Sequence, residues 1–174
     1  MVLCYEKVTR SRFVMLVTSV VLSLYIFIGI GLPLYILYGE ERVQVEIFSL
    51  WTILGVAILA LLPVLIFIPR YVSLTDSCLK LHRGIGVSSF AYDDIKTIRL
   101  YSPKNIVTER KFGIGGVGGF IGNFYNPEIG NHVAYVGDYS QAFLIVMKSG
   151  KKYMLSCQHS EKIVAQVGDR LRKK

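Results

Sequence analysis

Two runs of this chain carry no charge: residues 13–39 and residues 47–69 contain no Asp, Glu, Lys or Arg. Each exceeds the roughly 20 apolar residues, at a rise of about 1.5 Å each, that a helix needs to cross a hydrocarbon core of about 30 Å. In lipid a lone segment satisfies its own backbone only as a helix. Both runs are therefore read as transmembrane helices, at about 13–38 and 47–69. The first is not read as a cleaved signal peptide, because it is far longer than an h-region and ends in PLYILYGEE, with no small-residue cleavage site. Pro33 and Pro63 fall inside the spans and predict kinks.

Orientation follows from the flanks. Lys7, Arg10 and Arg12, with Glu6, precede the first span, whereas Glu40, Glu41 and Glu46 surround a single Arg42 between the two. The positive-inside rule puts both termini in the cytoplasm. Arg12, Trp51, Arg70 and Tyr71 sit where interfacial anchors belong. The chain divides into residues 1–69, an N-terminal segment with two spans, and residues 70–174, a cytosolic domain.

That domain holds 16 of the 20 Lys and Arg and 8 of the 12 Asp and Glu, so it carries all of the +8 formal charge. A tethered basic domain is drawn to anionic headgroups, with each cation near the surface contributing about 1 kcal/mol. The bland alternative is that the charges only solvate a small domain. No nucleic-acid motif is present, and nucleic acid is not expected as a partner. Three cysteines and three histidines sit at no metal-ligand or redox spacing, so neither metal nor cofactor is expected.

Past the spans the apolar period changes from helical to alternating. RYVSLT and CLKLHR read as a hairpin turning at TDS; IGVSSFA, IKTIRLY, NHVAYV, AFLIVMK and KKYMLSC follow as further strands, the last two joined at Ser149-Gly150. From Ser160 onward, Ile163, Val164, Val167 and Leu171 form one stripe of an amphipathic helix, which Gly168 weakens. A sheet with one apolar face needs a cover, and this helix supplies it.

Seven strands closed by a C-terminal helix, with YVSLTDSCLKLHRG, SSFAYDDIKTIRLYSP and GKKYMLSCQHSEKIVAQVGDRL, resemble the bacterial pleckstrin-homology (PH) domains over about residues 70–171. The run RKFGIGGVGGFIGNFYNPEIGNHVAYV is similar to one subgroup with a glycine-aromatic stretch between the fourth and fifth strands. The resemblance implies a two-helix transmembrane hairpin followed by a PH-like seven-stranded β-sandwich or barrel capped by a helix. It also implies a bacterial inner-membrane location and a binding or assembly role with no catalytic residue carried over. The short first hairpin departs from phosphoinositide-binding members, whose basic cluster lies on a long one.

The glycine run poses the functional question. Six glycines lie between Gly113 and Gly122, with Arg110 and Lys111 ahead of them and Phe112, Phe120, Phe124 and Tyr125 interleaved. Gly113, Gly115 and Gly118 satisfy G-x-G-x-x-G, but that fingerprint has mechanical meaning only where a helix leaves the loop, and FIGNFYNPEIG is no helix. Three readings stand: a crossover packed on the domain by its aromatics, a contact surface for a partner or a second copy, or an aromatic-basic patch inserted in the membrane. Burial of the aromatics separates them. Asp93 and Asp94 read as turn residues; Cys157 with His159 lacks an orienting third group; Ser156 and Ser160 read as residues leading into the helix.

The sequence thus predicts a non-enzymatic membrane protein that binds a protein partner or itself near an anionic surface. Its contact residues are Arg110, Lys111, Phe112, Phe120, Phe124 and Tyr125. The alternative is a membrane effector or channel-forming oligomer with a sensing PH-like domain, in which Gly29, Gly31, Pro33, Gly55 and Pro63 permit helix packing and bending.

Overall fold

The computed structural model describes residues 2–38, 47–101 and 108–172. Ser11 opens helix α1 (Arg12–Ile26), its hydroxyl accepting the Val14 N–H at 3.3 Å. A π turn over Phe27–Gly31 follows, and the helix resumes as α2 (Leu32–Tyr38). The ring of a proline crowds the carbonyl four residues back. For Pro33 that carbonyl lies inside the π turn, so the expected disturbance appears there. Helix α3 (Ile47–Phe67) carries Pro63 without a break. Among the described residues one helix, Arg12–Tyr35, is long and apolar enough to cross a membrane; the described apolar stretch of α3, Leu54–Phe67, is shorter. Phe13, Leu16, Leu24, Trp51, Val56 and Leu59 on these helices are exposed.

The rest is a β-sandwich. Strands β2 (Pro69–Thr75), β3 (Cys78–Arg83) and β4 (Val87–Ala91) form an antiparallel meander. The turn after β2 is tightened by Thr75 Oγ1, which accepts from Cys78 N–H at 3.2 Å. The sequence reading took the residues before α1 as a charged flank. Instead they form β1 (Val2–Lys7), antiparallel to β2 with Glu6 opposite Val72. The sheet order is β1-β2-β3-β4.

The second sheet contains β5 (Ile95–Tyr101), β6 (Glu109–Gly115), β7 (Phe120–Asn126), β8 (Gly130–Val136), β9 (Ala142–Met147) and β10 (Lys152–Ser156), in the order β5-β9-β10-β8-β7-β6. Strand β10 runs antiparallel to β9 and parallel to β8. All seven expected strands are present, and three more accompany them: β1, β6 and β7. The glycine stretch is therefore not a loop but a hairpin at the edge of the larger sheet.

Alternation decides what is buried. Val72, Leu74, Leu79 and Leu81 face Phe143, Ile145 and Leu155 across the sandwich, and Ile163 and Val167 of helix α4 (Ser160–Arg172) close the same cluster. Each such side chain contributes about 1.5–3 kcal/mol on leaving water. The intervening residues of β9 and β10, Ala142, Leu144 and Met154, join Phe124, Ala134, Val136 and Tyr101 in a second cluster on the reverse face of the larger sheet.

Candidate binding surface on the glycine hairpin

In β6 and β7 the glycines let two strands approach closely. Gly113 lies opposite Gly122, and a Cβ on Gly113 would sit 2.1 Å from Ile121 O. Only a residue without one fits there. Gly113 and Gly122 also hold positive φ, 130° and 128°. The bulge at Arg110/Phe112 shifts the register by one residue beside them.

The hairpin has two ends with different surroundings. Its turn lies against the helices: Gly118 N–H donates to Thr18 Oγ1 at 2.9 Å, and that hydroxyl donates to Val14 O at 2.6 Å within α1. A Cβ on Gly118 would come within 2.9 Å of Ile68 Cδ1, just past α3. Two neighbouring turns do the same work. After β8, Gly137 O accepts from Ser11 N–H at 3.0 Å. Between β3 and β4, Gly84 N–H and Ile85 N–H donate to Ile68 O and Ile66 O, each at 2.9 Å, which satisfies carbonyls that the end of α3 leaves open.

The other end carries five of the six predicted contact residues, while Phe120 lies beside the turn, opposite Gly115, and the structure divides the set further. Arg110, Lys111 and Phe112 are exposed, Phe112 to 76%. Lys111 Nζ stands 5.3 Å from the centroid of the half-buried Tyr125 ring. Phe124 is buried in the second cluster, and Phe120 packs beside it, 4.8 Å from Tyr139. Of the four aromatics, then, Phe120 and Phe124 serve packing, Tyr125 backs a cation, and Phe112 is free for contact.

Of the residues expected at a membrane interface, Arg12, Arg70 and Tyr71 lie where the helices meet the sandwich, and Trp51 lies near the far end of α3. Arg12 opens α1 and Trp51 is exposed on α3, while Arg70 O in β2 accepts from Val8 N–H at 2.9 Å. The Tyr71 ring packs between Tyr5, 4.6 Å away, and His82, stacked at 4.1 Å.

Beside the hairpin the larger sheet extends past the smaller one. Phe112, Asn123, Val133 and Tyr153 are successive cross-strand partners from β6 to β10, forming one row on one face. Only at Tyr153 does the row reach the sandwich core, through an edge contact with Phe90 at 4.9 Å. The part that no described residue covers floors a cavity of about 700 Å³ rimmed by Lys111 and Lys151. A second cavity, about 480 Å³, shares Val133 and Tyr153 with it and is walled by Ser88 and Ser89 of β4.

The sequence missed one polar constellation. Buried Glu6 accepts from His159 at 2.7 Å and Lys162 at 3.3 Å, tying β1 to the start of α4. Burial raises the Glu6 pKa, but the two hydrogen bonds and the partners' charges outweigh it and hold the carboxyl below its ordinary range. Those partners lie more than 150 residues away in sequence. His159 is thus engaged with Glu6, and burial, with Glu6's charge adding, pushes the Cys157 thiol up to about 12. A thiol so protonated is no nucleophile. Ser156, expected to lead into the helix, instead accepts from Gly137 N–H at 2.9 Å. Asp93 and Asp94 lie in a 3-10 turn, Tyr92–Asp94. Among the described residues no group of His, Cys, Asp or Glu could hold a metal ion.

A family model described as Bacterial PH domain matches residues 70–171. No curated protein and no solved structure matches the chain.

Proposed function

The chain belongs to the bacterial PH domain family, and from that premise we propose a non-enzymatic binding or assembly module, held at the inner membrane by two helices with its sandwich and both termini in the cytoplasm. Residues 1–69 supply the anchor, and residues 70–174 together with β1 supply the module. Parity supports two crossings over one. Strand β1 precedes α1 and β2 follows α3, yet they pair in one sheet. A bilayer cannot stand between paired strands, so the chain crosses an even number of times between them.

The observation that carries the functional reading is the docking of the Gly118 turn on α1 and the end of α3. It sets β6 with its turn at the membrane end. At about 3.3 Å per residue, Phe112 and Arg110 then stand some 10 to 17 Å further out. That geometry disfavours insertion of Phe112 into lipid and favours contact with a protein partner or a second copy. Anionic headgroups fall instead to Arg10, Arg12 and Arg70, at the helix-proximal end.

The test is a photo-crosslinking residue at position 112 of the full chain in its native membrane. Protein adducts of defined mass are expected. Phospholipid adducts alone, or none, sink the reading. One observation favours the alternative of a channel-forming oligomer: the π turn at Phe27–Gly31, a feature frequent at functional sites in helices. A planar bilayer containing the purified chain that shows no conductance at any applied voltage counts against it.

A further inference from the structure

We propose that the groove between β4 and the uncovered face of the larger sheet takes an extended, acidic segment of another protein, which pairs with β4 as a fifth strand. The inference rests on the binding-module reading above and gives it a site and a ligand class.

Three observations converge on it. First, β4 is the outer strand of its sheet, paired with β3 alone. Among the described residues, the backbone groups on its other side have no partner, and such an edge is a template for one more strand. Second, a strand added there, about 4.8 Å from β4, would lie over a ready-made floor. The smaller cavity is walled by β4 and the larger reaches Phe112; they share Val133 and Tyr153, so they form one groove running from Ser88 and Ser89 to Phe112. Alternate side chains of the incoming strand would meet Val133, Tyr153 and the exposed Phe112 ring. Third, among the described residues Lys111, Lys151 and Lys152 line this groove and no carboxylate does. Lys152 is engaged with Ile129 O, which leaves Lys111 and Lys151 as the cations at the rim. A second copy would bring more of the same sign, since the chain carries +8. Like charges brought together oppose docking. The occupant that fits is therefore acidic and not this chain.

The test uses the full chain in nanodiscs of neutral lipid and a displayed library of random twelve-residue peptides, followed by hydrogen exchange with a synthesised winner. Selected peptides should be net negative with alternating apolar residues, and their binding should protect the amides of residues 87–91. Reversing both rim cations, Lys111→Glu with Lys151→Glu, should weaken binding by roughly tenfold or more at low salt and less at high salt. Both positions are exposed, so the variant is expected to fold, which its unchanged melting temperature would verify. Peptides without acidic bias, or bound without protection of residues 87–91, overturn the proposal. So does protection there that rises with protein concentration in the absence of peptide, which makes a second copy the occupant. If no peptide is selected while position 112 still crosslinks to a protein, this site is wrong and the binding-module reading stands.

Discussion

Replacing Gly84 by alanine should detach α3 from the sandwich without unfolding the sandwich. A Cβ there would sit 1.7 Å from Leu65 O and 2.9 Å from Leu65 C, both backbone atoms that cannot rotate away. The turn must back off until that gap reaches at least 3.0 Å. The displacement breaks the bonds from Gly84 and Ile85 N–H to Ile68 O and Ile66 O, now 2.9 Å each. Two backbone hydrogen bonds at about 0.5–1.5 kcal/mol, plus the cost of carbonyls left without donors, come to about 2–4 kcal/mol. At about 1.4 kcal/mol per factor of ten, the amides of residues 84 and 85 should exchange roughly 30- to 1,000-fold faster in Gly84→Ala than in the parent. Amides of β9 and β10 should keep their rates. Exchange at residues 84 and 85 within threefold of the parent would refute the reasoning, as would equal acceleration throughout the sandwich, which would mean global rather than local release.

Gly168→Ala should act in the opposite direction: a Cβ there meets nothing within 4 Å in α4, so a gain of about 0.5–1 kcal/mol is expected in thermal or urea unfolding. Phe143→Ala, at a fully buried core position, should cost about 3–5 kcal/mol, whereas Phe112→Ala on the exposed rim should stay within about 0.5 kcal/mol of the parent in the same assay. The lowered Glu6 pKa means that its contribution is complete above the ordinary glutamate value of 4.5 and is lost as pH falls through the folded value. Melting temperature should therefore drop in acid less steeply for Glu6→Gln than for the parent; equal slopes would remove Glu6 from the account. Because its thiol lies near 12 and is buried, Cys157 should resist iodoacetamide at pH 8 in the folded chain, and mass spectrometry showing labelling as fast as in denaturant would contradict that environment.

Where side chains alternate against a core, the sequence could be read directly. Val72 with Leu74, Leu79 with Leu81 and Phe143 with Ile145 announce their strands, and Ile163 with Val167 announce α4. The missed strands lack that signal for physical reasons. Glycine disfavours a strand in general, so six of them in ten residues read as a loop. Here the Gly113 and Gly122 pair is what allows β6 and β7 to lie together. Strand β1 shows no clean apolar alternation in VLCYEK, and its partner β2 begins only after all the intervening helices. Glu6 gives no local hint of His159 and Lys162 because its bonds close over the length of the chain. The aromatics and cations beside the glycines stood out as a group in the sequence, since such residues mark shaped backbone. Which of them face solvent was not legible. That depends on the register that turns Phe124 toward Ala134 and Val136 while Phe112 points outward.

The parallel pairing of β10 with β8 puts a strand that follows both of its neighbours in sequence in the middle of the larger sheet, between β9 and β8. As the chain leaves the ribosome, β5 with β9 and β8 with β7 and β6 can each form, but nothing joins them until residues 152–156 arrive. A product cut short before that point holds two part-sheets with raw edges facing each other, a form suited to aggregation or proteolysis. Completion of this domain is therefore abrupt with respect to chain length: until residues 152–156 are in place the larger sheet stays divided, and with them it closes.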